Sequence, residues 1–283
     1  MRRGTSQRME EGTMGTEKAR WLHISDLHIL LNSPSWKVFQ GNLFRFFEEH
    51  PEQKPDFVVV TGDYRNIQKF ESFELAERFI RELLEHLELS GENLYLVPGN
   101  HDMSTLQKDG TIKPRYALEL KKLLPDGMTP GKCPPDAEIA NWLSKCETEP
   151  ADYIDRLCSV NRGSEESDTG VFIPTLLYGF QSYENMAKSL IPWYSGNGWN
   201  PAGPHNRKWE GAEGLCFNVV HLNTALAADG SRGHYQALDL SKTLEAFQGI
   251  NNGKPTLVLA HNSFYDLHPQ IQEYLKEAMG KAR

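Results

Sequence analysis

The uninterrupted apolar run Phe57–Thr61 (FVVVT) carries no polar alternation. Such a run reads as a short strand buried on both faces, as in a parallel sheet covered by helices. Two further short runs, Trp21–Ser25 and Leu94–Val97, lie to either side of it along the chain. Between the first two, residues 35–49 place Trp36, Phe39, Leu43, Phe46 and Phe47 at helical spacing, which predicts an amphipathic helix covering the sheet. Between the second and third, Phe70, Phe73, Ala76, Phe79, Ile80, Leu83, Leu84 and Leu87 form a longer helical stripe, with Gly91 placed to close it as a C-cap. The order so far is βαβαβ. Farther on, Leu215–Asn223 and Thr256–Ala260 resume strand character, with helices predicted over Asp239–Phe247 and Gln270–Met279.

The stretch from Met103 to about Gly214 has a different texture, rich in Pro, Gly, Lys, Asp and Glu. Short helices are predicted over Ala137–Cys146, Ala151–Cys158 and Gln181–Leu190. Trp193, Tyr194, Trp199 and Trp209 fall among Gly, Asn and Pro, as in a structured loop. An insertion of this length reads as a cap or lid beside a site, or as a surface excursion whose aromatic residues pack against the core. The domain reading is therefore a disordered leader over residues 1–19 and one domain over 20–283, with an inserted cap region at about 103–214.

Each of the first three strands runs into a polar motif: Ser25-Asp26-Leu27-His28, Thr61-Gly62-Asp63 and Gly99-Asn100-His101-Asp102. Asp26 to Asp63 and Asp63 to Asn100 are both 37 residues, enough for a crossover helix and a return strand. Three strand ends can then present side chains at one edge of a sheet. Carboxylate, amide and imidazole groups are the ligands of divalent metals at catalytic sites. Gly62-Asp63 alone is a turn signal, whereas Gly99-Asn100-His101-Asp102 is more than a turn requires. His261, after the Thr256–Ala260 run, extends the set. His23 and His221 fall inside strands and read as core residues, and His234 and His268 are weak substitutes for ligands.

These motifs resemble those of the calcineurin-like metallophosphoesterases, which run D-x-H, G-D, G-N-H-D/E, H and G-H-x-H. The first four are present, and the fifth is absent from the 22 residues after His261. The resemblance covers roughly residues 20–102 and 215–265. It implies an α/β (α+β) fold, a four-layer αββα sandwich of two mixed β-sheets flanked by helices and shortened at the C-terminus. It also implies two divalent metal ions, drawn from Mn, Fe, Zn or Co. Asp26 and His28 would hold one, Asn100 and His261 the other, and Asp63 would bridge both. His101 would act on the transition state or leaving group, with Asp102 orienting it, and Asn66 sits where the family often carries Asp or Asn. The expected activity is metal-dependent phosphoester hydrolysis through a metal-bridging hydroxide. Without G-H-x-H each metal keeps three protein ligands, which a catalytic site tolerates. The chain then reads as a fragment of a longer enzyme, a variant metal enzyme, or a phosphoesterase-like scaffold without turnover.

Composition narrows the substrate. A net charge of −8, from 30 basic and 38 acidic residues, argues against broad capture of duplex nucleic acid. The family resemblance makes small phosphodiesters or nucleotides the first expectation, with a nuclease, which the acidic balance disfavours, or a phosphoprotein phosphatase as alternatives. No segment approaches the roughly 18 apolar residues of a membrane span, and residues 1–20 lack a signal-peptide core. Cys133, Cys146, Cys158 and Cys216 form no C-x-x-C pair, which reads as reduced thiols and a cytoplasmic location.

Overall fold

The computed structural model describes residues 18–29, 33–66, 72–104, 114–123, 172–211, 214–227, 237–250 and 253–281. The first sheet is parallel, in the order β1 (Trp21–Ile24), β2 (Phe57–Thr61) and β3 (Leu94–Val97). The second joins β4 (His205–Glu210) antiparallel to β5 (Cys216–His221), and β5 parallel to β6 (Thr256–Leu259). Helices α1 (Pro34–Glu49) and α2 (Glu74–Leu87) are the crossovers of the first sheet. The remaining described helices are α3 (Pro114–Leu123), α4 (Ile173–Tyr178), α5 (Gln181–Leu190), α6 (Pro192–Asn197), α7 (Leu240–Gln248) and α8 (Pro269–Lys281). This is the expected α/β sandwich.

The period of two along β2 and β3 divides the interior into layers. Phe57, Val59, Tyr95 and Val97 meet Trp209, Val219 and Leu259 between the sheets. Val58, Val60, Leu94 and Leu96 point the other way, into the helical layer with Phe79, Ile80 and Leu83 of α2. β2 is buried on both faces, so neither side of it tolerates a polar residue. Burying each of these aliphatic side chains contributes about 1.5–3 kcal/mol.

The helices follow the sequence with two corrections. Ser33 caps α1 by accepting from the Trp36 N–H, and Pro34 starts it. Its packed stripe consists of Trp36, Leu43, Phe44 and Phe47, while Phe39 and Phe46 stay 42% and 45% exposed. The predicted apolar face was therefore too wide. The second helix ends before Gly91: Glu88 adopts the left-handed conformation at φ 61 and its N–H closes onto Leu84 and Glu85. Gly91 instead opens the short 3-10 turn that leads into β3.

In the described later part of the region read as an inserted cap, α4 to α6 pack on the first sheet's helical layer and β4 joins the second sheet. Ser189 of α5 donates to Glu77 of α2 at 2.8 Å, and Arg81 of α2 donates to the Ser189 carbonyl at 2.9 Å. Trp209 lies 5.3 Å from Phe57 between the sheets, and Trp193 stacks on Trp199 and His205. These tryptophans pack. The predicted helices Ala137–Cys146 and Ala151–Cys158, together with Cys133, His234 and residues 1–17 of the leader, lie outside the described residues. Lys18 to Arg20 are described, and the Arg20 N–H donates to Asp56 at 2.7 Å.

Candidate metal centre

β1, β2, β3 and β6 each lead into one of the motifs. The parallel course of the first three brings their ends together, and His261 after β6 of the second sheet meets them at Thr61 and Asp63. Among the described residues four non-glycine positions have positive φ, and three of them are Asp26 (54°), His28 (40°) and Asp63 (55°). Left-handed backbone costs about 1–3 kcal/mol at such residues and persists where surrounding structure enforces it. Backbone hydrogen bonds enforce it here. Asp26 N–H donates to Gly62 O at 3.2 Å, His28 N–H to Asp63 O at 2.8 Å, and Ile29 N–H to Tyr64 O at 3.2 Å.

Two glycines let the loops meet. A Cβ on Gly62, which has φ 84°, would lie 2.6 Å from both Gly99 N and His261 Nδ1. A Cβ on Gly99 would lie 2.2 Å from Asp63 Oδ1. No side chain fits either place without moving the site.

Asp63 is the centre of the arrangement, with a side chain only 4% exposed. Its Oδ2 faces His28 Nε2 at 3.6 Å and His101 Nε2 at 3.9 Å. Its Oδ1 faces His261 Nε2 at 3.4 Å and accepts the His101 backbone N–H at 2.9 Å. Asp26, 58% exposed, stands at the open rim with its Oδ1 3.8 Å from His28 Nε2. Two groups of three side chains can each close on an ion: His28, Asp63 and His101, and Asp26, Asp63 and His261. Asp63 belongs to both.

The donor set fits a cation. His261 Nδ1 is 2.8 Å from the Thr61 carbonyl, which can only accept, so Nδ1 carries the proton. In neutral His261 the Nε2 lone pair then points inward, toward Asn100 Oδ1 at 3.1 Å and Asp63 Oδ1 at 3.4 Å. Three acceptors converging without a proton between them are the electrostatic shape of a metal site. Mixed nitrogen and oxygen donors suit Mn, Fe, Zn or Co.

All seven predicted site residues, Asp26, His28, Asp63, Asn100, His101, Asp102 and His261, come together, but one relation differs from the expected one. Asp26 stays 3.8 Å from His28 and Asn100 3.1 Å from His261, while His101 is also near enough to close on an ion with His28 and Asp63. Asp102 does not orient His101. Its Oδ2 accepts N–H bonds from Asp63 and Gly99, both at 2.8 Å, and its Oδ1 accepts from Tyr64 at 2.9 Å. The 3-10 turn Asn100–Asp102 swings the carboxylate back under the loops, and His101 Nδ1 is left without a hydrogen-bond partner. Complete burial, and then the neighbouring Asp63 charge, push the Asp102 carboxyl up to about 8, against the pull of its N–H donors and Arg65. Burial lowers the His101 imidazole, and the Asp63 carboxylate opposes that shift.

Sequence reading missed Tyr64 and Arg65. Tyr64 is fully buried and donates to the Val60 carbonyl at 2.9 Å. Arg65 is 9% exposed and is directed at the loop that carries Asn100 and His101. The available signal was a charged residue, Arg65, four positions after a buried strand ended. Of the discounted histidines, His23 bonds Thr61 Oγ1 at 2.8 Å, and His205 and His221 stack at 4.2 Å between the sheets.

Comparison with known proteins points the same way. The sequence pattern described as calcineurin-like phosphoesterase matches residues 19–271. An uncharacterized metallophosphoesterase-like protein of Bacillus subtilis (strain 168), YydB, is 34% identical over 113 residues. That alignment covers 38% of this chain and 23% of the relative, so the chain matches under a quarter of that protein's length. No helix among the described residues is long and apolar enough to cross a membrane.

Proposed function

Because this chain belongs to the calcineurin-like phosphoesterase family, we propose that it hydrolyses small phosphodiesters or nucleotides with two divalent cations held about Asp63. The observation that carries the reading is the direction of the two Asp63 oxygens, one toward His28 and His101 and the other toward His261. A carboxylate so placed can serve two ions at once. Bound cations supply Lewis acidity for the water and for the phosphoryl oxygens. In the same reading, Asp26, His28, Asn100 and His261 complete the two coordination spheres. His101 hydrogen-bonds the phosphoryl group or returns a proton to the leaving oxygen.

Preference for a diester rests on charge. A monoester dianion needs more positive charge than a diester monoanion. The guanidinium bordering the site, Arg65, is directed at backbone carbonyls instead of the opening. The net charge of −8 argues against a long polyanionic substrate. A cytoplasmic setting belongs to the same proposal, supported by cysteines with no pairing pattern.

The test is elemental analysis of the chain after loading with manganese or zinc, followed by hydrolysis of bis(p-nitrophenyl) phosphate and p-nitrophenyl phosphate with and without EDTA. The expected result is close to two metals per chain and EDTA-sensitive hydrolysis that favours the diester. A monoester preference would make the chain a phosphatase. Two metals with no hydrolysis of either compound would make it a scaffold, and a metal content well below one would remove the two-cation reading.

A further inference from the structure

Motifs two and three exchange side chains. Asp102, from the third motif, accepts the backbone N–H groups of Asp63 and Tyr64 in the second. Arg65, just after the second motif, donates to the carbonyls of the third. Its Nε reaches His101 O at 3.3 Å, and its Nη2 reaches Asp102 O at 3.4 Å, Met103 O at 3.1 Å and Ser104 Oγ at 2.7 Å. A carboxyl group serves the donors of one loop and a guanidinium the acceptors of the other.

Other contacts fix where the guanidinium can point. It lies 4.6 Å from the centre of the Phe73 ring, and the Arg65 backbone pairs in parallel with Ile29, beyond the first motif. Ser104 is itself held, its N–H donating to Gly179 O at 2.7 Å. Arg65 thus joins the loops after β1, β2 and β3 at one point.

We propose that Arg65 is a positioning residue. It sets Asn100 and His101 against Asp63 by holding the carbonyls of His101, Asp102 and Met103, and it does so as a planar fork that lysine cannot reproduce. The catalytic consequence rests on the hydrolase reading above. The mechanical consequence does not.

The experiment compares the intact chain with Arg65→Lys, Arg65→Met and Ser104→Ala, each checked for folding by its urea midpoint. The readouts are manganese content, kcat and KM on bis(p-nitrophenyl) phosphate, and hydrogen exchange of the 99–104 backbone against the β2 backbone. Arg65→Lys should keep its metal and a KM within about twofold of the parent, yet lose about 10- to 100-fold in kcat. Exchange over 99–104 should rise while that of β2 stays the same. Ser104→Ala, which removes one of the four contacts, should lose about twofold to threefold in kcat, so the series survives if Arg65→Met fails to fold. Parent-like kcat and exchange in Arg65→Lys would overturn the proposal. So would a fall in kcat that only tracks lost metal. If the parent chain holds metal but hydrolyses nothing, the hydrolase reading fails. Exchange over 99–104 then decides by itself whether Arg65 fixes the loop.

Discussion

Two groups of histidines in this sandwich share a residue type and differ in everything around it. His28, His101 and His261 stand at strand ends with Nε2 3.4–3.9 Å from a carboxylate oxygen of Asp63. His205 and His221 lie between the sheets, stacked at 4.2 Å, with Tyr95, Tyr194, Trp193 and Arg207 for neighbours. Burial pushes the His205 imidazole down to about 4 and His221 well below its ordinary value, and Arg207 adds to both shifts. The same desolvation acts on His101, where Asp63 opposes it. A carboxylate at the centre gives one group side chains that could hold cations. Its absence among the neighbours of the other makes that group neutral packing.

Removing that carboxylate is the largest blow to the contrast. Asp63→Asn keeps the shape and deletes the charge common to both groups of ligands. Metal content should fall below one per chain, and hydrolysis of bis(p-nitrophenyl) phosphate by more than about 100-fold. His101→Ala should slow turnover by about 100-fold or more while both metals stay bound, as expected of a group acting on the proton or phosphoryl oxygen. Since His101 is also placed to close on an ion with His28, elemental analysis of this variant decides its role. Loss of one metal per chain would make it a ligand.

A smaller effect comes from filling the space that lets the loops meet. Gly99→Ala puts a methyl 2.2 Å from Asp63 Oδ1 and 2.5 Å from Asp63 N. The loop must move, at a cost of about 2–4 kcal/mol in urea unfolding, with metal affinity falling alongside. A parent-like stability and metal content would show that the two loops do not hold each other in place.

Much of this was legible in the sequence because the first sheet is built locally. FVVVT, the stripe on α2 and the 37-residue spacing point to three parallel strands and to the edge where the motif side chains gather. His261 was legible as the residue after the apolar run Thr256–Ala260. The second sheet was harder to read. β4 (HNRKWE) alternates, but its inward positions are His205, Arg207 and Trp209, which carry no apolar signal until Tyr95 and Phe57 cover them. The exchange between Asp102 and Arg65 was invisible for a related reason. Each side chain bonds backbone groups of the other loop, and backbone partners leave no residue type to recognise.

The smallest effect concerns the interior histidines and shows in acid. In the unfolded chain both take protons near pH 6.5, while burial holds His205 neutral down to about 4 in the folded chain and lowers His221 well below its ordinary value. Above pH 6.5 neither state binds the proton and the full stability is present. As pH falls from 6.5 toward 4, the unfolded chain binds protons that the folded chain refuses. The stability these two histidines contribute therefore falls, by up to about 1.4 kcal/mol per pH unit for each and roughly 3 kcal/mol over the window for His205, while Asp102, raised to about 8, contributes with the opposite sign in the same window. His221→Phe keeps a ring in the stack and removes two buried ring nitrogens. At neutral pH its urea stability should stay within about 1 kcal/mol of the parent, with metal content unchanged. Its acid slope between pH 6.5 and 4 should be shallower by one histidine's share. The slope should not vanish, because His205 and the buried His268, also lowered to about 4, remain. An unchanged slope would mean that His221 gains its proton in the folded state, and the division between the two groups of histidines would then fail.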